Sequence, residues 1–444
     1  MRREGSRLYT TNHLTLTYTA TEHALLRKIR DFSGATDSIA DVFLPDSVFD
    51  ALKTLALTGQ AETILTYFVQ RGHETLRVGQ YVGLLEVPGV RVEIRPKIGD
   101  LVTMLRHVRN TPFRTLPTVH SQSARLPLWD VFVSAFLAAV EPLMRAGLPS
   151  AFVTVEANER FMKGRFQPAR HLRQNLFHAE RIAVAADCRT PNTAPNRILK
   201  TALCCLLPQT KSAGNTARLR RAIAAFDTIP TPANLAADWQ TVRLGSRQFS
   251  RYADALAWAE ALLNGQMPGL KPGSQPGMSL LFPMQRVFEE FVAAGFRRYW
   301  PGPGAVSTQE SSAYLIDNHR EGPKVKLRPD LLIRQPNGST LVLDTKWKLI
   351  NGHQSGLPPG PATYGIETAD LYQLYAYGKK YGASDLFLIY PANSTFQEPL
   401  PVFYYDSGTR LHVVPFDVTK PLADGISQFA AMTATPELTG YVLV

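Results

Sequence analysis

The segment from Arg328 to Lys348 reads RPDLLIRQPNGSTLVLDTKWK, and it decides the fold expected for the last third of the chain. Two mostly apolar runs, 324–333 and 340–349, flank the tetrapeptide Gln-Pro-Asn-Gly at 335–338. Pro, Asn and Gly favour tight turns because Pro presets one backbone angle while Asn and Gly tolerate left-handed conformations. The pattern therefore predicts two strands that pair as a hairpin.

The predicted hairpin would bring two acidic side chains together. Residues two apart in a strand point to the same side, so Asp344 and Lys346 share one side of an otherwise apolar strand. If the two runs pair, Asp330 lies near Asp344 on that side. Two carboxylates at short range repel each other, and they stay ionised at little cost only when a cation lies between them.

Carboxylate oxygens suit Mg²⁺ or Mn²⁺, so we expect a metal site formed by Asp330 and Asp344 with help from the backbone carbonyl of Thr345. Such a metal would polarise a phosphodiester and acidify a bound water, which Lys346 would orient or deprotonate. A surface salt bridge between Lys346 and a neighbouring acid is the alternative. The sequence Arg-Pro-Asp on the preceding strand favours the metal site.

A helix predicted at 283–299 supplies a further candidate ligand. Its apolar stripe includes Phe288 and Phe296, and Glu289 lies at the edge of that stripe. Glu289 is therefore expected to reach inward as a metal ligand, whereas Glu290 falls on another face and is expected to point to solvent. A salt bridge along the helix is the alternative for Glu289.

A second helix, predicted at 368–381, places Gln373 and Tyr377 on one face, because residues four apart are neighbours on a helix. An amide and a phenol on one stripe can hold a carboxylate or a phosphate oxygen. Ordinary packing and surface hydrogen bonding are the alternative.

The whole chain is expected to form three domains. Residues 1–115 are predicted to be β-rich, with an alternating strand at 13–19 and a hairpin whose arms, 81–87 and 90–94, flank Pro88-Gly89. Residues 116–270 are predicted to be mainly helical, with helices at 126–145, 196–206, 216–226 and 252–263. A linker rich in Gly and Pro, 264–278, precedes the third domain, 271–444. Further strands are predicted there at 385–390, 402–405 and 411–416.

This order of elements predicts a multi-domain protein of the α+β or α/β class. The C-terminal domain is expected to contain a mixed sheet flanked by helices, because a helix, a hairpin, a second helix and more strands follow one another. The boundary after residue 264 is the clearest one in the chain, since its Gly and Pro residues interrupt every apolar period.

Composition narrows the class of function. The 444 residues include 48 Lys or Arg against 37 Asp or Glu, a formal net charge of +11, which favours a polyanionic partner such as nucleic acid. Cys188, Cys204 and Cys205 fit neither a disulfide framework nor a zinc or iron–sulfur motif, and we expect buried thiols in a cytoplasmic protein. No GxxxxGK[ST] loop occurs, so the chain is not expected to bind a nucleotide itself. No membrane span or secretion signal is predicted.

Taken in order, Glu289, Arg-Pro-Asp330, Asp344-Thr-Lys346 and Gln373-x-x-x-Tyr377 resemble the PD-(D/E)xK nucleases that carry a QxxxY helix. The resemblance implies a restriction-endonuclease-like core of the order αβββαβ. It also implies DNA cleavage with a divalent metal, with these residues at the catalytic site.

Motifs elsewhere in the chain resemble the McrC family. They are Tyr81-Val-Gly-Leu, Val92-Glu-Ile-Arg-Pro-Lys-Ile98, Lys163-Gly-Arg165, Asp187, Asn196-Arg-Ile-Leu-Lys200 and Val287-Phe-Glu289. The family provides the endonuclease subunit of the McrBC modification-dependent restriction system. The resemblance implies a separate partner, the hexameric AAA+ GTPase McrB, which recognises methylated cytosine in DNA. It also implies that the N-terminal part docks on this hexamer and stimulates its GTPase while the C-terminal part cuts.

Two other functions stay open. The first is a catalytically inactive regulator that only activates the AAA+ partner, although the intact Asp330, Asp344 and Lys346 argue against it. The second is a standalone RecB-like or Cas4-like repair nuclease. The absence of a cysteine cluster argues against a Cas4-like protein, and the long N-terminal region argues against a minimal nuclease.

Overall fold

A computed structural model describes residues 16–29, 41–57, 64–87, 90–109, 111–116, 126–178, 180–244, 250–264, 280–320, 322–352, 364–406 and 408–434. The described residues between 115 and 264 form one compact unit. Those at 16–114 form a second unit together with 280–434. Two of the three segments proposed as domains, 1–115 and 271–444, thus contribute to the same unit, and their independence stays a prediction.

The N-terminal part of the second unit is β-rich, as the sequence predicts. Its elements are β1 (Leu16–Thr21), β2 (Leu25–Lys28), β3 (Asp41–Leu44), α1 (Asp46–Leu57), β4 (Leu65–Gln70), β5 (His73–Val78), β6 (Tyr81–Val87), β7 (Val90–Arg95) and α2 (Leu101–Leu105). Strands β3, β2, β5 and β4 form one sheet in that order. Strand β1 runs parallel to β7, and β7 pairs with β6 in antiparallel register.

The predicted hairpin of β6 and β7 is confirmed, with Val87 opposite Val90. The Pro88-Gly89 turn lies outside the described residues, as do residues 13–15 of the strand predicted at 13–19. Gly83 is required in β6 because its φ is +124° and a Cβ there would lie 2.0 Å from the carbonyl oxygen of Leu280. A side chain at this position would prevent the strand that contains Leu280 from pairing with β6.

The other unit is built mainly of helices, and four of them match the predicted ones. Its elements are α3 (Leu128–Arg145), β8 (Ala151–Glu159), β9 (Arg165–Phe166), α4 (Pro168–Gln174), β10 (Ile182–Thr190), α5 (Ala194–Leu206), α6 (Ala213–Ala225), α7 (Leu235–Leu244) and α8 (Ala253–Asn264). Helices α3 and α8 share a core in which the rings of Phe132 and Trp258 lie 6.0 Å apart. The sequence does not predict the antiparallel sheet of β8, β10 and β9, whose strands lack a regular apolar alternation.

The cysteines are not buried as expected, since Cys204 and Cys205 are exposed and Cys188 is partly exposed. Both exposed thiols follow Leu203 at the end of α5, on the side that faces away from the core.

The apolar helix α3 is buried and contains the charged Asp130 in its first turn. Within the described residues, no helix is long and apolar enough to cross a membrane.

The C-terminal part of the second unit contains a six-stranded mixed sheet. Its elements are β11 (Leu280–Pro283), α9 (Met284–Tyr299), β12 (Ala305–Thr308), β13 (Tyr314–Ile316), β14 (Lys324–Lys326), β15 (Leu331–Arg334), β16 (Thr340–Thr345), α10 (Thr368–Tyr381), β17 (Asp385–Pro391), β18 (Phe403–Asp406), β19 (Thr409–Phe416) and α11 (Leu422–Ala434). The sheet has the order β12-β15-β16-β17-β19-β18. Strand β11 instead pairs with β6 and extends the N-terminal sheet.

Helices cover both faces of this sheet. On one face, Leu374 of α10 packs with Leu332, Val342 and Leu388 in a buried cluster. On the other face, Phe429 of α11 contacts Phe387, with ring centroids 5.1 Å apart, and α9 packs beside α11. The expected α+β class with a mixed sheet between helices is confirmed.

The run predicted as one strand at 324–333 is two strands. Strand β14 pairs with β13, whereas β15 belongs to the six-stranded sheet. The run is interrupted at 327–330, where Pro329 cannot donate a ladder hydrogen bond. Val325, inside β14, has a φ of +59°, a value that β-branched residues rarely adopt. The linker predicted at 264–278 lies, apart from its first residue, outside the described residues.

Candidate active site

The register of the β15–β16 hairpin places Asp330 beside Asp344. Leu331 lies opposite Leu343, so the residues just beyond this pair, Asp330 and Asp344, come next to each other at the end of the hairpin. One carboxylate oxygen of Asp330, Oδ2, accepts hydrogen bonds from the backbone N and the Oγ1 of Thr345, both at 2.7 Å. The predicted convergence of the two hairpin strands at these acids is therefore present.

Burial and mutual repulsion make this carboxylate pair difficult to ionise. Burial raises the pKa of Asp330 well above its usual value, and the charges of Asp344 and Glu289 raise it further. The two donors from Thr345 lower this pKa but do not outweigh the other causes. Burial likewise raises the pKa of Asp344, although the ammonium group of Lys346 opposes the shift. Such a group of acids is stabilised by an added cation.

Lys346 places a cation beside these acids. Its Nζ lies 2.8 Å from Oδ2 of Asp344 and 3.5 Å from Oδ1 of Asp370. Burial lowers the pKa of Lys346, but the carboxylates of Asp344, Asp370 and Asp330 outweigh it and raise this pKa above the usual value. Lys346 is thus protonated, which favours a role in orienting groups and offsetting negative charge over a role as a base.

The helix face of Gln373 and Tyr377 meets the hairpin, as expected from their spacing. Gln373 Oε1 accepts from Nζ of Lys346 at 3.1 Å, and its Nε2 donates to the Tyr377 hydroxyl at 2.7 Å. That hydroxyl donates to the backbone carbonyl of Arg328 at 3.2 Å. The pair therefore holds Lys346 and the segment leading into Asp330.

Glu289 faces the same region, and a residue that the sequence analysis missed holds it there. Its carboxylate accepts a hydrogen bond from the side-chain amide of Gln309, whose backbone N donates to the Asp330 carbonyl at 2.9 Å. The side-chain oxygen of Gln309, Oε1, accepts a hydrogen bond from the Arg328 guanidinium. Burial raises the pKa of Glu289, and the neighbouring charges of Glu290 and Asp344 also raise it, while Gln309 lowers it.

The expectation that Glu290 points to solvent is wrong. Glu290 is buried, and its Oε2 lies 3.1 Å from Nε of Arg109 and 3.7 Å from Nη2 of Arg297. Helical periodicity placed this acid correctly on the face of Arg297. It could not show that Arg109, which lies 181 residues earlier in the chain, would cover that face.

A second glutamine forms hydrogen bonds on both sides of Lys346, which directly follows β16. Gln285, near the start of α9, donates from Nε2 to the carbonyl of Thr345 at 2.6 Å and accepts from the backbone N of Trp347 at 2.7 Å. These two bonds flank Lys346 on both sides and continue the strand's hydrogen-bonding pattern. The Thr345 carbonyl expected as a metal ligand is therefore already engaged, although a carbonyl oxygen has a second lone pair.

Glu22, which directly follows β1 of the N-terminal sheet, contacts the segment that follows β16. Both of its carboxylate oxygens lie 2.9 Å from Nε1 of Trp347, and one accepts from the backbone N of Lys97 at 3.0 Å. Burial raises the pKa of Glu22, while the bonds from Lys97 and Trp347 lower it. The segment around Lys346 is thus held by Gln285 of α9 and, through Trp347, by Glu22, which follows β1.

The donor set fits Mg²⁺ or Mn²⁺ in chemistry but is not assembled as a complete ligand shell. Asp330, Asp344 and Glu289 offer only carboxylate oxygens, which hard divalent cations prefer. Yet among the described residues no three His, Cys, Asp or Glu side chains are placed to hold a metal ion together. Asp330 and Asp344 are the pair that would bind it, and Glu289 is bonded to Gln309 instead.

Neutralising Asp330 is expected to stabilise the metal-free protein. An acid whose pKa is higher in the folded state favours folding when it is protonated, and this benefit is lost as pH rises through the unfolded value and then the folded one. At pH 7.5 with EDTA, Asp330→Asn should therefore raise the free energy of unfolding. Below the pKa of an aspartate in the unfolded chain the gain should vanish, because the carboxyl is then protonated in both states.

Urea denaturation of both proteins at the two pH values measures this difference. Asp317→Asn is the matched control, since Asp317 is an exposed acid whose charge is paired with Lys380 and not with a buried group of carboxylates. A destabilising effect of Asp330→Asn at neutral pH would show that the carboxylate is already compensated.

The family motifs in the other unit have structural roles. Asn196 is buried, donates to the carbonyls of Pro149 and Pro191 at 3.0 and 2.8 Å, and accepts from the Tyr252 hydroxyl at 2.7 Å. Arg197 pairs with Asp238. Three other motif residues act similarly: Lys200 donates to backbone carbonyls, Asp187 accepts from Thr154, and Gly164 allows the chain to pass close to Ala185 and Ala186.

Comparisons with known proteins agree with the motifs. The model of the family described as "McrBC 5-methylcytosine restriction system component" matches residues 76–391. A solved chain from a half-complex of Thermococcus gammatolerans McrB AAA+ hexamers with bound McrC has a TM-score of 0.68 and 18% identity, covering 94% of this chain and 100% of that one. A second McrBC complex structure from the same organism gives 0.47 and 18%, covering 64% and 88%. No curated protein matches.

The first structural likeness shows a shared fold, and the family match extends over most of the chain, from within β5 to the end of β17. The resemblance to the McrC family inferred from short motifs is therefore confirmed by a comparison that uses the whole matched region. This chain belongs to the family of McrBC 5-methylcytosine restriction system components.

Proposed function

We propose that this chain is the endonuclease subunit of a McrBC-like restriction system. It would hydrolyse phosphodiester bonds of DNA with Mg²⁺, or with Mn²⁺, when a hexameric AAA+ GTPase that recognises methylated cytosine recruits it. The chain would bind no nucleotide itself and would stimulate GTP hydrolysis by its partner. The observation that carries the proposal is the convergence of Asp330, Asp344 and Lys346 at one end of a hairpin, backed by Gln373 and Tyr377.

Each of these residues would have a separate task. Asp330 and Asp344 would hold the divalent ion, which supplies Lewis-acid activation of the phosphodiester and of the attacking water. Lys346, kept protonated by its acidic neighbours, would orient the water and offset charge on the phosphate oxygens. Gln373 would hold the Lys346 ammonium in place, and Tyr377 would hold the backbone before Asp330.

A surface suited to a protein partner lies in the helical unit. Large apolar side chains are exposed on and around β8, β9 and α4: Phe152, Phe161, Met162, Phe166, Leu172, Leu176 and Phe177. Phe177 is 89% exposed, which is unusual for a side chain of this size unless another molecule covers it. This exposed apolar face supports a complex with a protein partner, which we propose to be the AAA+ hexamer. Residues 1–115 are proposed to dock on the same hexamer.

Gln285→Ala is expected to slow DNA cleavage about 10- to 100-fold, because the backbone on both sides of Lys346 loses a hydrogen bond and the amine shifts from its position. Gln285→Glu keeps the acceptor for Trp347 but loses the donor to Thr345, and it should fall between wild type and Gln285→Ala. Single-turnover cleavage rates and DNA affinity measure the effect. The rate should fall while DNA affinity stays unchanged; equal losses in both would indicate general unfolding.

The direct test of the proposed function is purification of this chain with a candidate AAA+ GTPase, followed by incubation with GTP and Mg²⁺. We expect cleavage of DNA containing 5-methylcytosine and none of unmethylated DNA. Stimulated GTP hydrolysis without any cleavage would favour the inactive regulator. Cleavage that needs neither GTP nor the partner would favour a standalone repair nuclease.

A further inference from the structure

The ribbon formed by β13 and β14 has no role in the chemistry described above. Among the described residues its two strands pair only with each other, with Tyr314 opposite Lys326 and Ile316 opposite Lys324. The side chains at 315–320 and 323–326 are exposed. A two-stranded ribbon with both faces in water buries little apolar surface, so stability alone gives no reason for it.

The ribbon presents cations that no described acid neutralises. Arg320, Lys324 and Lys326 are exposed, and none of them forms an ion pair with a described residue. The acid of the ribbon, Asp317, is instead compensated by Lys380 of α10, whose Nζ lies 2.7 Å from both carboxylate oxygens. Lys326 is also 5.9 Å from the centroid of the Tyr314 ring, a contact that leaves its charge in place.

The sequence of the ribbon adds one more acid, Glu321, which lies outside the described residues. The arginine of the segment that follows, Arg328, adds a further positive charge beside the candidate site. Positive charge therefore exceeds negative charge from the ribbon tip to the catalytic hairpin.

The ribbon also has a fixed position relative to the candidate site. Lys326 precedes Asp330 by four residues, so their Cα atoms are at most about 14 Å apart. The backbone N of Leu327 donates to the carbonyl of Ala313 at 2.9 Å, which closes the ribbon at its base. Asp317 ties its outer end to α10, the helix that carries Gln373 and Tyr377.

We propose that the β13–β14 ribbon binds the phosphate backbone of the DNA duplex beside the scissile bond, through Arg320, Lys324 and Lys326. The inference rests on the proposed function, under which the polyanion bound near Asp330 is DNA. Each strand of a duplex carries a phosphate about every 3.4 Å along its axis, so a cation within about 14 Å of Asp330 reaches phosphates only a few steps from the cut. A two-stranded ribbon also fits a major groove about 12 Å wide.

Such contacts would contribute affinity and position but no sequence preference, since phosphates are the same at every base pair. An acidic protein is the other occupant that a cationic ribbon could accept. The distance to the candidate site favours DNA, because the substrate must pass beside Asp330 in any productive complex.

The test compares two double variants of the full chain that remove the same charge. Lys324→Ser with Lys326→Ser alters the ribbon, and Arg220→Ser with Arg221→Ser removes two exposed arginines from α6 that have no ion pair among the described residues. Affinity for an unmodified duplex is measured by fluorescence anisotropy in EDTA over a range of NaCl concentrations. The ribbon variant should lose about tenfold in affinity near 0.1 M salt, and the slope of log K against log salt should fall by about 2. The control should change neither quantity.

Four results separate this inference from the proposed function. An unchanged slope in the ribbon variant, with cleavage by the wild-type complex intact, would overturn the ribbon site alone. Equal losses in both double variants would also overturn it, because general charge would then explain binding. A reduced slope in a protein that never cuts DNA would support the ribbon while the proposed function fails. Loss of binding to the AAA+ partner, with DNA affinity unchanged, would assign the ribbon to a protein and overturn the inference.

Discussion

Asp344→Ala and Lys346→Ala are each expected to reduce DNA cleavage by the complex with the AAA+ partner about 10³-fold or more, to background. Asp344 is buried in the hairpin, and its carboxylate is one of the two proposed metal ligands. The Nζ of Lys346 lies within 3.5 Å of carboxylates on both β16 and α10. Without Asp344 the site loses one of its two proposed metal ligands, and without Lys346 it loses the ammonium group that lies beside them.

GTP hydrolysis by the partner should be stimulated by both variants as it is by wild type. Docking is proposed to use the N-terminal region and the apolar face around Phe177, not the hairpin. Nicking assays on methylated plasmid and phosphate release from GTP, measured in the same tube, separate the two activities. A folded variant that lost stimulation together with cleavage would contradict this division of roles.

Lys348→Ala is the matched control for Lys346→Ala. Lys348 lies two residues further along the same segment, and its Nζ is 2.8 Å from Glu367. The substitution removes the same charge and the same side chain from a neighbouring position, where the partner, Glu367, is exposed. Cleavage should stay within about twofold of wild type, since exposed ion pairs contribute little. If this control lost cleavage as completely as Lys346→Ala, a specific role for Lys346 would not stand.

Removal of divalent metal is the second change expected to abolish cleavage. EDTA should stop DNA cutting, excess Mg²⁺ should restore it, Mn²⁺ should substitute, and Ca²⁺ should substitute poorly because it prefers a larger and looser ligand shell. The physical reason is that the proposed mechanism relies on the ion held by Asp330 and Asp344 to activate the phosphodiester and the attacking water.

Because GTP hydrolysis by the partner is also expected to need Mg²⁺, the two requirements must be separated. GTP hydrolysis and cleavage are followed together across a Mg²⁺ titration, for wild type and for Asp330→Ala. The variant should hydrolyse GTP at the same Mg²⁺ concentrations as wild type yet cut at none of them. Cleavage that continued in EDTA at its normal rate would contradict a metal-dependent mechanism.

Local patterns predicted the elements of the site well. The turn residues at 335–338 and the two apolar runs led to the hairpin, and the four-residue spacing of Gln373 and Tyr377 led to α10, whose bounds, Thr368–Tyr381, agree with the prediction. These features depend on short-range rules: turn chemistry, strand alternation and helical spacing. The placement of Asp330 beside Asp344 then follows from register alone.

Long-range contacts could not be predicted in the same way. Gln285, Gln309 and Glu22 reach the site from distant parts of the chain, and nothing in their local sequence distinguishes them from ordinary polar residues. Glu290 was misplaced for the same reason, because its partner Arg109 comes from another part of the unit. A helical wheel shows which residues share a face but not what covers that face.

The antiparallel sheet of β8, β9 and β10 was missed for a different reason. Its exposed face carries large apolar side chains where a solvated strand would carry polar ones, so the usual alternation is absent. A strand whose exposed face is apolar thus lacks the alternation by which strands are recognised.

The central claim is that Asp330 and Asp344 together bind one divalent cation, and calorimetric titration of Mn²⁺ into the purified chain tests it most directly. Wild type should bind about one ion per chain, whereas Asp330→Asn and Asp344→Asn should each lose that binding while Asp317→Asn keeps it. Binding that is unchanged in both site variants, or no binding by wild type, would contradict the claim.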